Sequence, residues 1–119
     1  MTDVRRIMPY LEGDDFEALK AFYCETLGLE VTMEGEEFLG LGSAQVPAAQ
    51  LVVGRPGRGR PRADMGVDVG DAGAVDAAHA EAVRRGLEVV YGPADEPWGI
   101  YRFFVRDPTG AVVSVLAHR

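Results

Sequence analysis

The sequence predicts an α+β fold of two units, each a strand, a helix and three further strands. Three observations predict it: an internal repeat, apolar alternation before each unit's Gly-Asp, and helical spacing after it. Gly13-Asp14-Asp15 through Gly28-Leu29-Glu30-Val31 resembles Gly70-Asp71 through Gly86-Leu87-Glu88-Val89. The offset is 57 residues at the first Gly-Asp and 58 at Gly-Leu-Glu-Val, nearly half of the 119-residue chain. Self-similarity on that scale marks a repeated supersecondary unit that cannot bury its sheet alone. Each open sheet packs one face on its helix and leaves the other to line a cleft or a partner. The single domain then divides into module one (about 5–53), a connector (54–63) and module two (about 64–117).

In module one, residues 7–11 read as a strand, and Pro9 suits an edge or a first position because it lacks an N–H. Asp14 or Asp15 caps the helix that follows by accepting from exposed N–H groups at its start. Phe16, Leu19, Tyr23 and Leu27 recur at helical spacing with Phe22 beside them, and Gly28 supplies the stop. Residues 29–33 read as a strand and 34–37 as a turn. Two more strands, 38–41 and 50–53, flank a small-residue loop containing Pro47.

Module two repeats this plan. Met65, Val67 and Val69 alternate with Gly66, Asp68 and Gly70, a period-2 strand. Asp71 starts the second helix, Val75, Ala78, Ala82 and Val83 form its apolar face, and Gly86 ends it. Strands follow at 87–91, 100–106 and 111–116. Asp107-Pro108-Thr109-Gly110 joins the last two, with Pro fixing φ early and Gly tolerating positive φ late.

Composition narrows the function. With 12 basic and 19 acidic side chains the net charge is −7, which argues against a general nucleic-acid binder. Hydrophobic residues make up 47 %, so the chain folds rather than remaining an acidic tail. A single cysteine, Cys24, excludes an internal disulfide and a multi-thiolate zinc site. No apolar run approaches the length of a membrane span, and no apolar signal region follows Met1. The expectation is a cytoplasmic protein with no membrane partner. The connector carries Arg55, Arg58, Arg60 and Arg62 among Gly and Pro, and reads as a solvated link or, alternatively, as a clamp for a phosphate or carboxylate. No Lys-Ser/Thr follows its glycines, so it is not a P-loop.

Alternation sorts the strands by face. If Ile7 and Leu11 pack on helices, Met8, Tyr10 and Glu12 point into the concavity. If Met65, Val67 and Val69 pack, Asp64, Gly66 and Asp68 point inward. On 100–106 one face carries Ile100, Arg102, Phe104 and Arg106, the other Tyr101, Phe103 and Val105, and alternation alone does not choose. The last strand presents Val112, Ser114, Leu116 and His118 together. The resulting cleft is apolar and aromatic with a few charges, which suits an amphipathic organic ligand. His79 reads as helix–sheet packing or surface, His118 as a terminal residue, and Cys24 as a small packing residue.

Three stretches carry a family resemblance: Asp15 through Phe22-Tyr23 to Leu27-Gly28-Leu29, Val67-Asp68-Val69-Gly70-Asp71, and Trp98-Gly99-Ile100-Tyr101-Arg102-Phe103-Phe104-Val105-Arg106-Asp107-Pro108-Thr109-Gly110. They resemble the glyoxalase / bleomycin resistance protein / extradiol dioxygenase (vicinal oxygen chelate) superfamily over about residues 5–117. The resemblance implies paired βαβββ modules forming a curved, cup-shaped mixed sheet with helices on the convex face, usually in a homodimer. It also chooses the Arg102 and Phe104 face as the cleft side. Metal-dependent members place ligands where this chain has Met8, Asp64, Ser114 and a position near 50–52. A thioether, one carboxylate and one hydroxyl make a poor divalent site.

The resemblance therefore implies a metal-independent small-molecule binder of the bleomycin resistance type, with no cofactor, sequestering an antibiotic or other amphipathic metabolite in a cleft at a dimer interface. Met8, Tyr10, Phe38, Trp98, Arg102, Phe104 and Ser114 are its expected ligand-binding residues. The negative charge favours encounter with cationic ligands through long-range steering. The alternative is a glyoxalase-like lyase or related metal-dependent enzyme with an atypical site at Asp64, Asp68 and His118. A purely structural or regulatory dimer is the third reading.

Overall fold

A computed structural model of the chain describes residues 3–57 and 61–119. Arg58, Gly59 and Arg60 of the connector lie outside the described residues. Both modules follow the strand–helix–three-strand plan. Module one runs β1 (Arg6–Glu12), α1 (Phe16–Lys20) continuing as a π-helical segment (Ala21–Thr26), β2 (Glu30–Glu34), β3 (Phe38–Gly42) and β4 (Gln50–Gly54). Module two runs β5 (Met65–Asp68), α2 (Ala72–Arg84), β6 (Val89–Glu96), β7 (Ile100–Arg106) and β8 (Val112–His118).

The repeat extends to topology. In module one the strand order is β2-β3-β4-β1, with β1 parallel to β4 and the other pairs antiparallel. In module two it is β6-β7-β8-β5, with β5 parallel to β8 and the rest antiparallel. A parallel first and last strand needs a crossover, which the helix supplies in each module. Of the described residues, 3–7 and 61–119 form one compact unit and 8–57 the other. Residues 3–7 belong with module two through the Arg5 N–H, which donates to the Asp68 carbonyl at 2.7 Å.

The helix starts obey capping chemistry. Asp15, rather than Asp14, caps α1 by accepting from the Ala18 N–H at 3.0 Å. Asp71 does the same for α2 with the Ala74 N–H at 2.8 Å. Gly28 and Gly86 follow the helices at φ 82° and 68°, the left-handed region that favours glycine. Asp14 instead pairs with Arg55, whose guanidinium also donates to the Glu36 carbonyl at 2.6 Å and stacks on the Phe16 ring at 4.0 Å. The first connector arginine is thus part of module one rather than of a solvated link.

The core of module one is Phe16, Leu39, Leu41 and Val53, with Leu19, Tyr23, Cys24, Leu29 and Leu51 against it. Leu27 was expected there but is 58 % exposed. The π-winding explains the difference: i→i+5 bonding takes more than 3.6 residues per turn and rotates Leu27 off the Phe16 face. Ile7, at 58 % exposure, and Leu11 are likewise not core residues, whereas Met8 is buried.

Module two buries Val69, Val75, Ala82, Phe103, Val115 and Ala117 as one cluster. Phe103, Tyr101 and Val105 thus face α2, so Arg102 and Phe104 lie on the opposite sheet face, as the resemblance implies. Val83 departs from the expected helix face and is 59 % exposed. His79 packs edge-on to Phe103 with ring centroids 5.1 Å apart, a helix–sheet contact.

The β7–β8 turn forms as read. Asp107 Oδ1 accepts from the Thr109 N–H at 2.7 Å, the Thr109 hydroxyl at 2.6 Å and the Ala111 N–H at 3.1 Å. The Thr109 hydroxyl, followed by the backbone donors, holds this carboxyl below its ordinary value. A carboxylate so depressed stabilises the fold above its unfolded value, and the effect is lost as pH falls through the lower folded one. Urea unfolding of Asp107→Ala should therefore show a midpoint deficit at neutral pH that shrinks in acid. A deficit independent of pH would contradict this assignment.

Candidate functional site

The helix-remote face of module two concentrates the polar groups. Register places Arg102 opposite Leu116 and Phe104 opposite Ser114 on β7 and β8. On β5, Gly66 sits opposite Ser114 and Asp68 opposite Leu116. On β6, Tyr91 lies opposite Phe104 and Ala94 opposite Arg102. Because side chains alternate across a strand, Tyr91, Glu96, Arg102, Phe104 and Ser114 share one face.

At its centre is an ion pair. Arg102 donates from Nε to Glu96 Oε2 at 2.8 Å, and its Nη2 lies 2.7 Å from the same oxygen. Their side chains are 13 % and 3 % exposed. The Tyr91 hydroxyl donates to the same carboxylate at 3.2 to 3.3 Å. The guanidinium carbon lies 4.7 Å from the Phe104 ring centroid and 5.5 Å from that of Trp98. Tyr91 tilts against Phe104 at 5.0 Å. Cation–π contacts of this kind are stronger when desolvated, and Arg suits them because its planar cation is weakly hydrated.

The local sequence builds this pair. Glu96-Pro97-Trp98-Gly99 links β6 to β7, with the Gly99 N–H donating to the Glu96 carbonyl at 3.1 Å and Gly99 at φ 85°. Pro at the second turn position and Gly in the left-handed region are what a three-residue hairpin connection requires. The turn sets Glu96 opposite Ile100, and therefore diagonal to Arg102 on the same face. Gly92 permits β6 to reach that far: it sits at φ 79°, and a Cβ there would lie 2.7 Å from the Arg102 carbonyl oxygen.

Next to this cluster is an orphan. The Ser114 side chain is fully buried, and its hydroxyl is a buried polar atom with no hydrogen-bond partner among the described residues. A buried group left unpaired costs about 1–3 kcal/mol, so it points to a site that something else completes.

The other expected residues are placed as follows. Trp98 is half-buried beside Arg102, while Phe104 is buried. In module one, Met8 is buried, and Tyr10 and Phe38 are half-buried. Tyr10 pairs with Val52, and Phe38 with Gly54, on the sheet face opposite Leu39 and Val53. Glu96 and Tyr91 were not among the expected site residues.

The residues at the superfamily's ligand positions do not fit a divalent ion. Asp64 spends Oδ2 on the Val112 N–H at 2.8 Å, and Ser114 offers a neutral hydroxyl. The alternative set fares no better. Asp68 accepts from Arg6 Nε at 2.8 Å and from the Gly70 N–H at 3.0 Å. Arg6 Nη2 lies 2.8 Å from His118 Nε2, so that nitrogen accepts, and a guanidinium already occupies the space between carboxylate and imidazole. Asp64 precedes Asp68 by four residues of extended chain, about 13 Å at 3.3 Å per residue, too far for one ion. Among the described residues no group of three or more His, Cys, Asp and Glu is arranged to hold a metal.

Comparison with known proteins agrees with this architecture. The profile of the Glyoxalase/Bleomycin resistance protein/Dioxygenase superfamily matches residues 9–115. No curated protein matches the chain. Among solved structures, an extradiol ring-cleaving dioxygenase from B. fuscum is 26 % identical with a TM-score of 0.72. The match covers 98 % of this chain but 33 % of the dioxygenase, so the chain spans about a third of that enzyme. A superfamily member from Vibrio splendidus 12B01 is 15 % identical with a TM-score of 0.62, over 97 % and 99 % of the two chains. A Legionella pneumophila structure described as an NAD-dependent benzaldehyde dehydrogenase is 15 % identical with a TM-score of 0.78, over 95 % and 99 %. These last two likenesses concern the fold alone. With its family profile matched across both βαβββ modules, the chain belongs to the glyoxalase/bleomycin resistance protein/dioxygenase superfamily.

Proposed function

We propose that this chain is a metal-independent small-molecule binding protein that holds an amphipathic ligand, an antibiotic or a metabolite, without covalent chemistry. The observation that carries this reading is the Glu96–Arg102 pair in contact with both Trp98 and Phe104, on the sheet face that carries the orphaned Ser114 hydroxyl. A rigid cation fixed by a buried carboxylate presents donors in one orientation, and flanking aromatic faces accept a planar group. Asp64, Asp68 and His118 are committed to the backbone and to Arg6, which supports binding without a metal.

Function then rests on preorganisation. Glu96 holds Arg102, Tyr91 holds Glu96, and Phe104 and Trp98 both contact the guanidinium. Calorimetric titration with an amphipathic aromatic probe such as 3-phenylpropionate tests the site. Trp98→Ala and Phe104→Ala should each weaken binding about tenfold, the scale of one lost aromatic contact. Unchanged affinity in both folded variants would overturn the assignment of this face.

A further inference from the structure

We infer that the ligand is an aromatic carboxylic acid, read by the outer edge of Arg102 with the Ser114 hydroxyl as a second donor. This inference rests on the binding reading above and names its ligand class. Arg102 commits Nε and Nη2 to one oxygen of Glu96, and among the described residues its Nη1 has no hydrogen-bond or ion-pair partner. One edge of a planar five-donor group is thus fixed, and the other keeps donors that no described residue engages. That edge matches a carboxylate, and an ionised acceptor strengthens such hydrogen bonds about twofold over neutral ones.

Ser114 is the independent observation. Its hydroxyl is fully buried, has no partner, and lies on the same sheet face as Arg102. Opposite-strand diagonal neighbours are about 7–8 Å apart, a separation that one small ligand spans. Trp98 and Phe104, both in cation–π contact with the guanidinium, supply the apolar surface that a ring requires.

The chain's net charge of −7 is a weaker consideration than this local geometry. Surface charges farther away than about 8 Å are screened at physiological salt, whereas a half-buried guanidinium is not. Steering by the whole molecule affects encounter, and Arg102 decides what stays.

Calorimetry with 3-phenylpropionate, 3-phenylpropionamide and 3-phenylpropylamine separates the claims. Trp98 is the chain's one tryptophan, so its fluorescence follows the same site independently. The acid should bind about tenfold or more tightly than the amide, and the amine more weakly still, because a charge-assisted pair is lost and then replaced by repulsion. Arg102→Gln should abolish the preference for acid over amide, and Ser114→Ala should weaken the acid about tenfold with the fold intact by circular dichroism. Should Arg102→Gln fail to fold, Arg102→Lys should narrow the preference by removing the planar edge while keeping the charge. Equal binding of acid and amide, still weakened by Trp98→Ala, would overturn the acid assignment while leaving the binding reading in place. No binding of any probe and no change in Trp98 emission would contradict both.

Discussion

Phe103→Ala should cost about 3–5 kcal/mol of unfolding free energy, the range for deleting a buried aromatic ring. Phe103 is 1 % exposed at the centre of the module two cluster, against Val75, Ala82 and Val115 and edge-on to His79. The loss combines transfer of the ring to water with the cavity left beneath α2. Phe104, its neighbour in sequence, lies on the other face beside Arg102. The two variants should therefore differ in kind: Phe103→Ala lowers the urea midpoint without changing probe affinity in the folded fraction, whereas Phe104→Ala also weakens binding. Equilibrium unfolding followed by circular dichroism checks the first half. A loss under about 1 kcal/mol would place Phe103 outside the core.

Glu96→Ala carries the second large effect. Removing one partner of a buried pair leaves an uncompensated charge, at a cost of about 3–5 kcal/mol. Arg102, at 13 % side-chain exposure, would retain its two aromatic neighbours but lose both bonds to Glu96. Replacing both residues together should cost much less, because continuum and mutational results put such pairs near break-even against apolar substitutes. The double-mutant cycle with Glu96→Leu and Arg102→Leu, measured by urea unfolding, resolves the coupling directly. Additive single-residue losses would mean that the pair is not coupled.

Much of this fold is legible in the chain because the determinants are local and repeated. The two Gly-Asp starts, the Gly stops and the Asp107–Gly110 turn each state a backbone requirement that structure then meets. The departures also have local causes. Gly92-Pro93 reads as the end of a strand at 91, yet β6 continues to Glu96, since an edge strand tolerates proline and two register shifts absorb the irregularity. That misreading hid Glu96, the residue that fixes Arg102. The spacing contained the signal: a three-residue Pro-Trp-Gly connection sets Glu96 diagonal to Arg102 once both flanks are strands. Leu27 fails for another reason, because sequence periodicity assumes 3.6 residues per turn and the π-helical segment does not keep it. The role of Arg6 between Asp68 and His118 lay beyond local pattern, since 62 and 112 residues separate the partners.

The claim that binding needs no metal is tested most directly by calorimetric titration of 3-phenylpropionate into chelator-treated, untagged protein. Metal-independent binding requires a saturable isotherm with the same affinity before and after chelation, weakened about tenfold by Trp98→Ala. Binding that disappears with the chelator and returns with stoichiometric nickel, zinc, manganese or iron would contradict it.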